Sequence, residues 1–418
     1  MSHTWRGFAV TRGPRRLLNW GCMYRSLAAM LLCAAVLRAD SVLVVPFFNH
    51  SNNPSLDWIG ESIAESVGDS LASEGVLVLN RDERLEGFRR LSLRPGAQLT
   101  HASIIKLGIV LDAAKVVYGS FETAPAASGS APGGSSPAKA SLRIMARVLN
   151  LKHAGLGPEF GEAGALEDLA TLEVHLGWQS LTQIAPQSAP SETDFRQARP
   201  PVRIDAVENY IRGLLAANPD QRQHFFIQAA RLDEHFSQPC YQLGKTYWSR
   251  KEYRLAAGWF SRVSRWDPHY LEAQFFLGLC RFDSGDFAAA ESAFQTVAAS
   301  VPLNEVFNNL GAAEARHGNL EAAIANFKKA VDGDSSDPDY QFNLGYAYWR
   351  SGEYATAAER FRAALERNPN DAEATAMLGR ALQGEGARAA DSKLETRLRL
   401  KEDYEEGAYR QLQAELKK

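Results

Sequence analysis

One phrase recurs through the second half of the chain: a Leu-Gly pair at Leu243-Gly244, Leu277-Gly278, Leu310-Gly311, Leu344-Gly345 and Leu378-Gly379, spaced 34, 33, 34 and 34 residues apart. A fixed period of this length signals a stack of like units rather than one globular core. Each unit spells two antiparallel helices. In the unit from Ser237 the first helix carries Leu243, Gly244 and Tyr247, and a bend follows over 249–252. The second helix carries Tyr253, Ala256, Phe260 and Val263, and Asp267-Pro268 stops it. Proline cannot extend a helix and pushes the residue before it toward extended geometry. Gly244 and Ala256 leave room for close helix approach, and Phe260 fills the gap between them.

Units from Leu271, Asn304 and Pro338 repeat this grammar, and a partial one starts at Ala372. Residues 203–236 form a degenerate unit, with Phe226 and Ala229 in place but Asn209-Tyr210 where Leu-Gly would stand. Terminal units are expected to be atypical, because one face meets water or another domain. The motifs over 235–390 resemble the tetratricopeptide repeat family, and 203–236 extends the array in the same register. The resemblance implies an all-α solenoid whose first helices line a concave groove for a peptide or protein partner. Its groove positions fall here on Tyr241, Lys245, Trp248, Phe275, Phe282, Asn308, Arg316, Phe342, Tyr346, Trp349, Arg350 and Arg380. Aromatic and arginine side chains in such a strip suit binding hot spots; packing of the aromatics between helices is the competing reading. The family's clamp for a C-terminal carboxylate is not expected, since Glu272 and Glu305 stand where positive charge is needed. The tail, 391–418, mixes charges of both signs, and Leu394, Leu398, Leu412 and Leu416 are spaced for a capping helix.

Upstream, residues 41–184 alternate strand and helix signals. Val42–Phe48, Val76–Leu79, Lys115–Phe121, Leu142–Val148 and 158–162 read as strands; Ile59, Ile63, Val67 and Leu71 mark one face of a helix. Thr100 caps another helix, and Leu169, Leu172, Leu176 and Ser180 line a third. Residues 124–140 are Pro, Gly, Ser and Ala almost throughout and predict a mobile hairpin loop; 185–202 reads as a Pro-rich linker. Val42–Phe47, Asp57–Glu65 and Val116–Phe121 resemble the amino-terminal domain of TolB, and more distantly CsgG-type envelope proteins. The expected fold class is thus an α/β domain followed by an all-α solenoid.

The first 39 residues carry Arg12, Arg15, Arg16 and Arg25, then an apolar run from Leu27 to Leu37. That run is too short to span ~30 Å of hydrocarbon, so it reads as a secretory signal peptide cleaved near Ala39, with Met23 an alternative start. A retained anchor or a cytosolic chain is the competing reading. Periplasmic or exported location follows as the expectation, with no transmembrane span in the mature chain.

Chemistry is sparse. The nine histidines are scattered, no cysteine spacing suits zinc, and Cys240 and Cys280 fit as small apolar residues, a bridge between them being left open. Gly155-Leu156-Gly157-Pro158 departs from a dinucleotide fingerprint at its proline. Asp57, Glu61 and Glu65 lie along one helix, where a solvated face outweighs a catalytic role. Net charge is −3 with no basic stripe, which argues against a nucleic-acid partner. The expectation is a non-enzymatic adaptor of the bacterial envelope without cofactor or metal; a regulatory or sensor module serving a separate signalling system is the alternative.

Overall fold

A computed structural model describes residues 40–51, 53–124, 140–153, 155–386, 398–404, 409 and 412. The expected leader and residues 125–139 of the expected loop lie outside the described residues.

The amino-terminal part is a mixed sheet covered on both faces. Its strands are β1 (Val42–Val44), β2 (Phe48–Asn49), β3 (Lys115–Ala124), β4 (Ser141–Asn150), β5 (Gly155–Leu156) and β6 (Phe160–Ala165). β1 and β2 both run parallel to β3, β3 pairs antiparallel with β4 along its whole length, and β5 and β6 pair with β4. The single strand expected over Val42–Phe48 is divided at Pro46, which has no N–H to give a ladder; Phe47 N donates instead to Gly60 O at 3.0 Å. The expected strand Val76–Leu79 contracts to one bridge, Val42 to Val78.

Strand alternation decides the two faces. Val42, Val44, Val117, Leu142, Ile144, Ala146 and Val148 face helices α1 (Trp58–Ser73) and, later in the chain, Leu169–Ile184. Leu43, Val45, Val116 and Leu149 face α2 (Arg81–Arg90) and α3 (His101–Val110). Asn80 closes a capping box with Glu83 on α2, and the Thr100 hydroxyl accepts from Ser103 N to start α3. One expectation is corrected here. Glu61 is buried and Glu65 largely so, because α2 brings Arg84 to 2.6 Å from Glu61 and 2.8 Å from Glu65, and Arg81 to 2.7 Å from Glu61. The sequence of α1 alone does not show a guanidinium arriving from the next helix.

Leu169–Ile184 is α4, and the stretch 185–202 carries a short helix, α5 (Glu192–Gln197). Phe195 is buried, the Arg199 guanidinium lies 3.7 Å above its ring, and Arg199 pairs with Glu74 at 2.6 Å. This stretch is thus packed against the end of α1.

Helix pairs follow: α6 (Ile204–Leu215) with α7 (Pro219–Leu232), α8 (Gln238–Ser249) with α9 (Tyr253–Phe260), α10 (Tyr270–Asp283) with α11 (Phe287–Ser300), α12 (Asn304–His317) with α13 (Leu320–Gly333), and α14 (Pro338–Arg350) with α15 (Tyr354–Arg367). A single helix, α16 (Ala372–Leu382), follows the last of these pairs. The repeated glycine has one physical job. A Cβ on Gly244, Gly278, Gly311 or Gly345 would stand 2.5, 2.6, 2.9 or 3.0 Å from the ring of Phe260, Phe294, Phe327 or Phe361. In the first pair the same contact is made by Gly213 and Phe226, at 2.5 Å, so that unit keeps the interlock one helical turn later than the Leu-Gly register. The apolar core is continuous from the inner face of the sheet through α1 and α4 into the helix pairs. The α/β part followed by a helix-pair array is the fold class the sequence predicts.

Candidate functional site

Residues 398–404 of the tail lie against the first helices of two successive units, α12 and α14. Residues 398–404, expected inside a capping helix, run without helical hydrogen bonding. The backbone groups of Arg399 and Lys401 bond to asparagine side chains of α12 and α14 instead. The Arg399 N–H donates to Asn343 Oδ1 at 2.9 Å, and Asn343 Nδ2 donates to Arg399 O at 2.8 Å. Two residues on, Lys401 N–H donates to Asn309 Oδ1 at 2.8 Å and Asn309 Nδ2 donates back to Lys401 O at 2.8 Å. Each amide thus exchanges both bonds with one residue, as a neighbouring strand would. Asn308 ties the two together, donating to Arg399 O at 2.8 Å and accepting from Asn343 Nδ2 at 2.8 Å. All three asparagines have no exposed surface, so each is committed to this task.

Holding residues i and i+2 by both backbone groups requires an extended segment, whose side chains alternate. Leu398 is buried, and Leu400 and Tyr404 pack against the core. Tyr404 meets the buried Phe275 edge-on, ring centroids 5.0 Å apart. Arg399 and Lys401 reach an acidic ring. Arg399 lies 2.7 Å from Asp371, 3.2 Å from Asp339 and 3.6 Å from Glu373, over the face of Phe342 at 3.7 Å. Lys401 lies 2.8 Å from Asp337 and 2.7 Å from Asp339, with the Tyr340 ring 5.1 Å away. Asp337 and Asp371 are also the N-caps of α14 and α16, so the caps double as ion-pair partners. Burial alone would raise the Asp371 carboxyl, but the hydrogen bond and charge of Arg399 outweigh it and hold it below the ordinary range. Burial works against the charge of Arg399 and Lys401 too, yet the facing carboxylates shift both upward.

The twelve residues singled out in the sequence fall into separate clusters. Asn308, Phe342 and Phe275 touch the tail. Tyr346 and Trp349 are buried side by side; Arg350 donates to the Tyr346 hydroxyl at 3.3 Å, Arg380 covers Trp349 at 4.7 Å, and Trp349 Nε1 donates to Glu385 O at 2.7 Å. Tyr241 stacks on His269, Lys245 pairs with Glu272 at 3.3 Å, and half-buried Trp248 packs between Tyr253 and Phe276. Phe282 and Arg316 both pack on Phe287. The sequence reading passed over Asn309, Asn343, Asp337, Asp339 and Asp371. Their signal was present: Asn precedes Leu-Gly in two consecutive units, Asn309-Leu310-Gly311 and Asn343-Leu344-Gly345, a polar residue at a helix-interior position inside an apolar phrase.

A second concave region lies where α1 and α4 meet the array, a cavity of about 420 Å³ whose lining includes Asp69, Glu173, Tyr210, Gln238 and Asp267. Burial pushes Asp69 and Glu173 up to about 8 each. Gln238 Nε2 donates to Asp69. Burial would lower His269, but Asp267, 3.2 Å away, raises it to about 9. Cys240 and Cys280 are buried free thiols, pushed up by burial to about 11 and about 12. No group of His, Cys, Asp and Glu suited to a metal occurs among the described residues, nor a helix long and apolar enough to cross a membrane.

A stack of helix pairs interlocked by the same glycine-to-phenylalanine contact is a helical-repeat array. Residues 241–305 and 342–399 match a tetratricopeptide repeat model and residues 311–352 a TPR repeat model, so this part of the chain is a tetratricopeptide array. No curated protein matches the chain. Solved structures similar to it include MamA 41-end from Desulfovibrio magneticus RS-1 (24% identity over 40% of this chain and 98% of that one, TM-score 0.36). Others are YrrB, described as a TPR protein with an unusual peptide-binding site (18%, 41% and 86%, TM-score 0.33), and the Yersinia enterocolitica type III secretion chaperone SycD in complex with a peptide of the translocator YopD (23%, 27% and 92%, TM-score 0.26).

Proposed function

We propose that this protein is a non-enzymatic adaptor of the bacterial cell envelope that holds an extended segment of a partner protein in the groove of its repeat array. The observation that carries the reading is the exchange of both backbone hydrogen bonds between Asn343 and residue 399 and between Asn309 and residue 401. Main-chain recognition of this kind gives affinity for any strand-like peptide, with side-chain pockets setting selectivity. The basic-then-apolar leader and the resemblance of residues 41–184 to TolB-type and CsgG-type domains support the envelope placement, with the α/β domain docking a second component. The test is photo-cross-linking in intact cells from position 340, followed by fractionation. The reading expects an adduct with another protein in the exported fraction, lost on Asn309→Ala/Asn343→Ala. Adducts confined to the cytoplasm would refute the placement, and adducts indifferent to the two asparagines would refute the groove.

A further inference from the structure

We infer that the groove selects segments with basic side chains at positions i and i+2 between aliphatic residues, and that Leu398–Lys401 is the protein's own competing copy of that signal. The inference rests on the adaptor reading and names its ligand class. Backbone exchange with the two asparagines fixes extended conformation but is indifferent to sequence. Selectivity must come from the side chains, and there the groove is one-sided. Asp337, Asp339, Asp371 and Glu373 all stand within ion-pair distance of Arg399 or Lys401, so the side chains that meet these two positions are acidic. Phe342 and Tyr340 offer their faces to the same two positions, and a ring face attracts cations. The spacing is strict because only alternate residues of a strand share a side. A neutral or acidic segment would leave the buried Asp371 and the half-buried Asp337, Asp339 and Glu373 without the cations that face them, which is costly at Asp371 above all.

The tail satisfies every one of these contacts, and an outside segment must therefore displace it. As a tethered ligand it competes at an effective concentration on the order of mM. The groove is thus masked against weak partners and opens to a tighter one, or when the tail's charge is changed.

The experiment is fluorescence anisotropy with a labelled synthetic peptide spelling residues 394–404, titrated with the full-length protein and with full-length Arg399→Glu/Lys401→Glu. These substitutions lie in the tail; Arg399→Gln/Lys401→Gln serves as a milder second variant, and circular dichroism checks that helicity is unchanged. The charge-reversed chain is expected to bind the probe at least about tenfold more tightly than wild type. A probe carrying Glu at both basic positions is expected to bind neither. Adding Asn309→Ala/Asn343→Ala to the reversed chain is expected to abolish the gain. Equal probe affinity for wild type and both unmasked chains overturns the competition. Equal affinity for the basic and the reversed probe overturns the selectivity while leaving a peptide groove in place. Binding of neither peptide to any unmasked chain overturns the inference and the adaptor reading at this groove together.

Discussion

Asn343→Ala should release the tail without dismantling the array, and trypsin reads the release directly, because Arg399 and Lys401 are themselves cleavage sites. The substitution removes two hydrogen bonds to residue 399, at 2.9 and 2.8 Å, and one to Asn308. At about 0.5–1.5 kcal/mol net per bond, the two tail bonds contribute roughly 1–3 kcal/mol. With 1.4 kcal/mol per factor of ten, the population of undocked tail rises about 5- to 150-fold. When closing is fast relative to cleavage, proteolysis tracks that population. Cleavage after Arg399 should accelerate by the same factor, while cleavage after Lys328 and Lys329 on α13, which requires the array to open, accelerates far less. Asn309→Ala should act in the same direction at Lys401. Unchanged cleavage at Arg399, or acceleration equal at Arg399 and Lys329, would refute the reasoning: the first denies that the amide holds the tail, the second assigns it to the stability of the whole array.

Three further outcomes follow from the packing. Glu173 is 3% exposed and raised by burial from 4.5 to about 8, so the folded chain keeps a proton that the unfolded chain has lost. Its contribution is complete below about pH 4.5 and is lost as pH rises to about 8, by up to about 1.4 kcal/mol per unit; Glu173→Gln should flatten that part of a denaturant-midpoint profile, and an unchanged slope would reject it. Gly278→Ala puts a methyl 2.6 Å from Phe294 and should cost about 1–3 kcal/mol in chemical denaturation, whereas Gly258→Ala, with open space at that position, should cost nothing of the kind. Arg84→Ala leaves Glu65 without its guanidinium and Glu61 with Arg81 alone, and should destabilise by about 3–5 kcal/mol, a loss that Arg84→Lys only partly recovers; wild-type stability in the alanine variant would show the cluster is idle.

How much of this was legible depended on how local each cause is. The helix pairs were, because Gly278 and Phe294 lie 16 residues apart in one phrase and the phrase recurs. The sheet was legible in its strands but not at Pro46, where the missing N–H and the Phe47 contact to Gly60 split the first strand. Glu61 looked solvated because Arg84 comes from another helix. The tail was the furthest from view. Leu394 and Leu398 have helical spacing, but the backbone of Arg399 is claimed by Asn308, 91 residues earlier, and no local pattern reports a bond of that range. Of the twelve candidate residues, Asn308 was placed in the groove by its position in the unit alone; in the structure it braces the two amides that bond main chain.

The central claim is that the groove of the array holds an extended segment at Asn309 and Asn343. The most direct measurement places a photo-reactive residue at position 400 of the full-length chain and maps its adducts by mass spectrometry after irradiation of dilute protein. The account predicts an intramolecular adduct to residues 304–350, on α12 or α14, that is lost in Asn309→Ala/Asn343→Ala. Adducts spread over the surface, or an array left unlabelled, would contradict it.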